Sequence, residues 1–148
     1  MAPVVPPLPP PSPGAAGPPG EGWNAAQIDW LSYTAGLVRA RNEHKPVCLV
    51  FHADWCPHCR TYARVFEDPR VVARARDLVM VRVNVDQAPD IAGRYQIDGP
   101  YVPRTYFLSA DGATLAGIDA HRPQFRYFFD EHDPNSLLAG MDAALRAR

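Results

Sequence analysis

Residues 47–59 read VCLVFHADWCPHC, and this stretch decides the fold. The run from Val47 to Phe51 is unbroken and apolar, which is the pattern of a central strand covered on both faces. Cys56-Pro57-His58-Cys59 follows closely, and we expect a helix to begin there because proline suits the first helical position. The stretch therefore predicts a buried strand that delivers two cysteines to the first turn of a helix.

Helix and strand patterns alternate on both sides of this stretch, so we predict an α/β fold with a mixed central sheet flanked by helices on both faces. Residues 119–131, rich in Tyr and Phe, are expected to pack over the sheet as an insertion. In chain order the other predicted elements are an edge segment at Ile28–Leu31, a helix at Tyr33–Glu43, a helix restarted by Asp68-Pro69, a strand at Leu78–Val85, a short helix at Asp90–Tyr95, a strand at Arg104–Leu108, a turn at Asp111-Gly112 with a fourth strand returning at Thr114–Ile118, and a last helix capped by Asp133.

The chain divides into two parts by composition. Residues 1–22 are rich in proline and offer almost nothing large to bury, so we predict a disordered, extended tail or linker. Residues 23–148 are long enough to bury a real core and form the predicted domain. The tail is either a native N-terminus or a linker left after an export signal or lipid anchor was removed, and we favour the second reading.

Charge and hydropathy exclude several function classes. The net charge is −1, from 15 basic and 16 acidic residues, and there is no long basic block, so a nucleic-acid partner is not expected. No run of about 18 apolar residues occurs, so no transmembrane helix is expected. Three cysteines are too few for a disulfide-stapled scaffold.

The CxxC pair carries the predicted chemistry. Cys56 lies at the helix N-terminus, where unpaired N–H groups and the helix dipole favour a thiolate, so we expect it to be the exposed nucleophile. Cys59 lies one turn deeper and suits the resolving role. His58 can support the thiolate of Cys56. A mixed disulfide at Cys56 then completes the exchange, with the Cys56–Cys59 disulfide itself as the only redox group and no further cofactor.

Other interpretations of these residues stay open. The two cysteines could be buried small hydrophobes, or could bind a metal with His52 and His58, although zinc needs four ligands and no second pair is present. Cys48, in mid-strand, is expected to be a buried bystander. Pro103 could open its strand with a cis or a trans peptide bond.

A strand that ends in residues 50–55, the CPHC motif and the Val102-Pro103 pair together resemble the thioredoxin superfamily. The resemblance implies that Cys56 attacks, that Cys59 resolves, and that Pro103 is a cis-proline. It also implies that the backbone of Val102 pairs with substrate as an added strand.

Within the superfamily, the chain is most similar to the small endoplasmic-reticulum thioredoxin-like and anterior-gradient oxidoreductases. The shared features are Trp55 before the motif, His52 four residues before the first cysteine, and the segment Tyr101–Arg104. The Pro57-His58 dipeptide is similar to that of DsbA, and the Arg- and Ala-rich composition suggests a bacterial counterpart.

One departure from the family bears on whether the protein oxidises or reduces its substrates. Thioredoxins typically carry a buried Asp where this chain has Val50, so His52 or water is expected to accept the proton of the resolving thiol. Pro57, His58, Trp55 and His52 are the expected redox-tuning residues.

These features favour an oxidase or isomerase of protein thiols, with a thioredoxin-like reductase as one alternative and a non-catalytic binding module or metal chaperone as another. We expect a monomer that meets thiol- or disulfide-bearing protein substrates and a redox partner protein. We expect it in the periplasm or another extracytoplasmic compartment, with the cytoplasm as the alternative.

Overall fold

The structure, a computed structural model, describes residues 22–148. Its sheet is built from β1 (Trp30–Leu31), β2 (Val47–His52), β3 (Val79–Asn84) and β4 (Arg104–Leu108) in the order β1-β3-β2-β4. β1 and β2 run parallel to β3, and β4 runs antiparallel to β2. Every residue of β2 is buried, as its apolar run predicts, because the strand lies inside the sheet with helices on both faces.

Helices cover the two faces of the sheet, which confirms the predicted mixed α/β architecture. Apolar residues of α1 and α4 pack on one face, and those of α2, α3 and α5 pack on the other. The bounds are α1 at Tyr33–Glu43, α2 at Pro57–Ala63, a 3₁₀ helix at Arg64–Glu67, α3 at Pro69–Ala75, α4 at Pro89–Ala92 and α5 at Pro134–Arg146.

Local sequence explains where these helices begin. Ser32, Asp68 and Asp133 each accept a hydrogen bond from a backbone N–H of the first turn, at α1, α3 and α5 respectively. Proline occupies the first turn of α2, α3, α4 and α5, where its missing N–H costs nothing. The predicted bounds of α1 are therefore confirmed, whereas α4 is shorter than the predicted helix at Asp90–Tyr95.

The predicted fourth strand at Thr114–Ile118 is wrong. The turn before it forms, since the N–H of Gly112, at a φ of 89°, donates to the carbonyl of Ser109. The returning chain then makes only an isolated bridge between Leu108 and Thr114. It leaves the sheet because the N–H of Ile118 donates to the carbonyl of Leu115 within a turn, and so is not available to a ladder.

The aromatic insertion follows the outer edge of β4. The N–H of Thr105 donates to the carbonyl of Tyr127 at 2.9 Å. The ring of Tyr127 packs on Tyr106 on one side of the sheet, and the ring of Phe129 packs on Phe107 on the other. The insertion thus covers an edge strand that would otherwise present unpaired backbone groups.

The predicted N-terminal tail falls almost entirely on residues 1–21, outside the described residues, so it stays a prediction. Within residues 22–148, no helix has both the length and the apolar composition needed to cross a membrane.

Candidate active site

The cysteine pair lies where β2 leads into α2. Cys56 is the N-cap residue of α2, and its sulfur accepts a hydrogen bond from the N–H of Cys59 at 3.0 Å. The N–H of Cys56 donates to the carbonyl of Ala53, which closes the loop after the strand. Both cysteines are free thiols. The sulfur of Cys56 thus satisfies a backbone N–H of the first turn of α2, as the side chain of an N-cap residue does.

Cys56 is buried, with 2% of its surface exposed, so the expectation of an exposed nucleophile is wrong. Cys56, Cys59 and Ala53 form a small apolar cluster against which Val85 and Val102 pack. The burial arises because the loop before β4 lies over the start of α2, a long-range contact that the motif alone does not reveal.

Val102 and Pro103 lie beside the reactive pair, as the resemblance implies. The thiol of Cys56 donates to the carbonyl oxygen of Val102, with 3.6 Å between sulfur and oxygen. The Val102–Pro103 peptide bond is cis. Val102 is half-buried and Pro103 buried. Their predicted role in substrate binding stays a prediction.

Cys59 is the more shielded thiol. Burial raises its pKa well above the usual range, and the hydrogen bond to Cys56 and the negative charge of Glu131 add to that rise. A resolving thiol with a raised pKa stays protonated until an intramolecular step needs it, so the position suits the predicted role.

His52 ends β2 and is 7% exposed. Its ring packs on Trp23, with 5.2 Å between centroids. Burial first, and the positive charge of Arg82 second, lower the pKa of His52 to about 3, so its imidazole is neutral near pH 7. A neutral ring in this setting is a weak proton acceptor.

Water is the alternative acceptor for the proton of the resolving thiol. Cys59, His52 and Arg82 line an open cavity of about 330 Å³ next to the buried pair. Val50, which occupies the position where an acid is typical, is fully buried and pairs with Arg82 across the sheet. The cavity therefore supports the prediction that water takes the proton of Cys59.

The hydrogen bond of His58 goes to a carboxylate and not to the sulfur that it was expected to support. Its Nδ1 lies 2.8 and 3.0 Å from the two carboxylate oxygens of Glu131, and its ring meets Phe128 edge-to-face at 5.7 Å. Sequence reasoning missed Glu131, which lies 73 residues further along the chain. The one available signal was an acidic side chain at the end of the aromatic insertion.

The remaining predicted residues lie around the pair. Trp55 is 65% exposed, and its indole N–H donates to Asp86 at 2.8 Å. Pro57 opens α2 and is exposed. Cys48 is fully buried in the middle of β2, and burial raises its pKa, as expected for a bystander. Among residues 22–148, no group of three or more His, Cys, Asp or Glu side chains is placed to hold a metal ion.

Proteins of known structure share this fold at low sequence identity. A thioredoxin from Thermus thermophilus has a TM-score of 0.62 at 22% identity, over 80% of this chain and 88% of that one. A protein described as DsbH oxidoreductase has a TM-score of 0.61 at 21% identity, over 98% of this chain and 96% of that one.

The sequence has relatives among the anterior gradient proteins. Anterior gradient protein 2 of Xenopus tropicalis is 27% identical over 84% of this chain and 74% of its own length, and the human homologue is 26% identical over 84% and 70%. The family model described as thioredoxin-like matches residues 29–110, more than half of the chain and inclusive of both motif cysteines. The chain therefore belongs to the thioredoxin-like family.

Proposed function

We propose that this protein is a thiol–disulfide oxidoreductase that exchanges disulfides with protein thiols through Cys56 and Cys59. The observation that carries the proposal is the hydrogen bond from the N–H of Cys59 to the sulfur of Cys56 at the start of α2. It places the sulfur of Cys56 at the N-terminus of α2, while burial raises the pKa of Cys59 and keeps the proton on that thiol. That asymmetry is what ordered disulfide exchange requires.

In the oxidising direction, a substrate thiolate attacks the sulfur of Cys56 in the Cys56–Cys59 disulfide. The intramolecular S–S bond breaks, a mixed disulfide forms at Cys56, and Cys59 leaves as a thiolate that takes a proton. A second substrate thiolate then attacks the substrate sulfur of the mixed disulfide and releases the Cys56 thiolate. The substrate loses two electrons to the cysteine pair, and a redox partner protein reoxidises the pair.

The oxidase or isomerase direction is supported by Val50. Because this position carries no acid, Cys59 has no carboxylate on β2 to remove its proton, which slows its attack on a mixed disulfide. Slow attack by the resolving thiol lengthens the life of the mixed disulfide, which favours transfer to, or rearrangement within, a substrate. An oxidising, extracytoplasmic compartment such as the periplasm completes the proposal, since structural disulfides persist there.

Oxidation of a reduced, unfolded test protein measures this activity. Oxidised wild type is expected to transfer one disulfide per molecule, Cys56→Ala none, and Cys48→Ala as much as wild type. Retained transfer by Cys56→Ala would contradict the proposal. Equilibration with glutathione gives the reduction potential of the pair and so distinguishes an oxidase from a reductase. A potential of about −120 mV is typical of DsbA, and about −270 mV is typical of thioredoxin. Stoichiometric metal in the reduced protein would favour the metal-chaperone alternative instead.

A further inference from the structure

His58 is held by the aromatic insertion. Both carboxylate oxygens of Glu131 lie within 3.0 Å of its Nδ1, and Glu131 itself is only 12% exposed. The ring of Phe128 meets the imidazole edge-to-face. The guanidinium of Arg122 lies over the ring of Phe128, 4.7 Å from its centroid. Two side chains of one segment thus fix the orientation of the motif histidine.

The sulfur of Cys56 forms hydrogen bonds with backbone groups. Its hydrogen bonds in the described part of the chain are with the N–H of Cys59 and the carbonyl of Val102. The Nδ1–H of His58 is donated to a carboxylate and is not directed at the sulfur. The histidine that was expected to support the thiolate is therefore committed to a different partner.

This arrangement has a consequence for the reduction potential. Any interaction that stabilises the thiolate of Cys56 stabilises the reduced pair, and so makes its disulfide more oxidising. An imidazolium close to the sulfur acts in that direction. A carboxylate that binds the imidazole and balances its charge makes the disulfide less oxidising. The negative charge of Glu131 also disfavours a thiolate at Cys59, which acts in the same sense.

We propose that Glu131 is a positioning residue that binds the Nδ1–H of His58, so that this group is not donated to Cys56, and thereby keeps the Cys56–Cys59 disulfide less oxidising than its CPHC motif predicts. The inference rests on the proposed function, since it concerns the potential of the same pair. It assigns the insertion a task beyond covering β4, namely to adjust the redox pair from a distant part of the chain.

Equilibration of the full chain with glutathione tests the proposal. In this reaction the Cys56–Cys59 disulfide breaks, takes two electrons and two protons from two glutathione thiols, and leaves one glutathione disulfide. Glu131→Ala is expected to raise the equilibrium constant for this reduction about three- to tenfold, where tenfold corresponds to about 30 mV. Glu131→Gln removes the charge at nearly constant size and is expected to shift the constant in the same direction.

A matched control separates this effect from net charge. Glu67 is exposed on the 3₁₀ helix that follows α2, and Glu67→Ala changes the charge of the protein by the same amount. We expect it to leave the equilibrium constant within twofold of wild type. Circular dichroism confirms that each variant is folded before the equilibrium is measured.

The decisive comparison is a double-mutant cycle with His58→Ala. If Glu131 acts through His58, Glu131→Ala changes the constant by less than about twofold in the His58→Ala background. An unchanged constant for both Glu131 variants, or an equal shift in both backgrounds, would overturn the proposal. A wild-type pair that does not exchange with glutathione at all would instead overturn the proposed function.

Discussion

The carbonyl oxygen of Val102 lies 3.6 Å from the sulfur of Cys56 and accepts its thiol hydrogen. This contact joins the loop before β4 to the first turn of α2, two parts of the chain that are 46 residues apart. The exchange proposed above would bring a substrate sulfur to the sulfur of Cys56, next to this carbonyl. The position of the Val102 loop therefore matters as much to the proposed exchange as the cysteines do.

The buried side chain of Arg104 anchors this loop through hydrogen bonds. It is 1% exposed, and its guanidinium donates to the carbonyls of Tyr95 at 2.9 Å, Tyr101 at 2.7 Å and Ala92 at 2.9 Å. The planar fork of arginine suits several carbonyls at once, and the single ammonium of lysine does not.

Arg104→Lys is accordingly expected to lower the free energy of unfolding by about 2–4 kcal/mol, because buried carbonyls lose their donors. It should also raise the KM for a protein substrate, since residues 95–103 lose their anchor. Urea denaturation and steady-state kinetics measure the two effects. Arg94→Lys, at an exposed position of the same segment, is the control and should change neither. Wild-type stability in Arg104→Lys would show that the loop is held by other contacts.

Trp55 offers apolar surface beside the motif. It is 65% exposed although its indole N–H is bound to Asp86, so the rest of the ring faces solvent. Trp55→Ala is expected to raise the KM for an unfolded protein about three- to tenfold, because an exposed aromatic ring contributes to binding when a partner covers it. The equilibrium constant with glutathione reports the reduction potential of the Cys56–Cys59 pair and not substrate binding, so measuring it separates a binding role of Trp55 from the expected redox tuning. Val38→Ala, at an apolar position of α1 that is 57% exposed, serves as the control. An unchanged KM would remove Trp55 from the substrate surface.

His52 makes stability depend on pH. Its pKa is about 3 in the folded protein and about 6.5 in the unfolded chain, so between these values the unfolded state binds the additional proton. The free energy of unfolding therefore falls as pH drops below about 6.5, by about 2–3 kcal/mol at pH 4.5 from this residue alone. His52→Gln, which is neutral at every pH, should lose that much less stability between pH 7 and pH 4.5.

Urea denaturation at the two pH values measures this difference. Equal pH dependence in wild type and His52→Gln would mean that the buried imidazole takes up a proton in the folded state as readily as in the unfolded one.

Local patterns predicted much of the fold. The apolar run of β2 and the helix caps at Asp68 and Asp133 are set by residues close in sequence, so their bounds could be inferred directly. The return strand at Thr114–Ile118 was inferred from the turn before it, yet a turn does not ensure a ladder. There the outer edge of β4 is covered by the insertion instead, through Thr105 and Tyr127.

The candidate site divides in the same way. Spacing along one helical turn was enough to identify Cys56 and Cys59 as a pair. The burial of Cys56 and the partner of His58 were not predictable, because each depends on a segment distant in sequence, the Val102 loop in one case and Glu131 in the other. A motif specifies which groups are present, but tertiary contacts decide which of them meet.

Mass spectrometry of a trapped mixed disulfide tests the central claim most directly. Removal of the resolving thiol in Cys59→Ala should leave one exchange product, a substrate peptide joined to the protein through Cys56. Peptide mapping after reaction with a peptide disulfide is predicted to find the peptide on Cys56 and none on Cys48, which is fully buried. A peptide attached mainly at Cys48, or no adduct with a protein that is folded and reduced, would contradict the assignment of Cys56 as the attacking thiol.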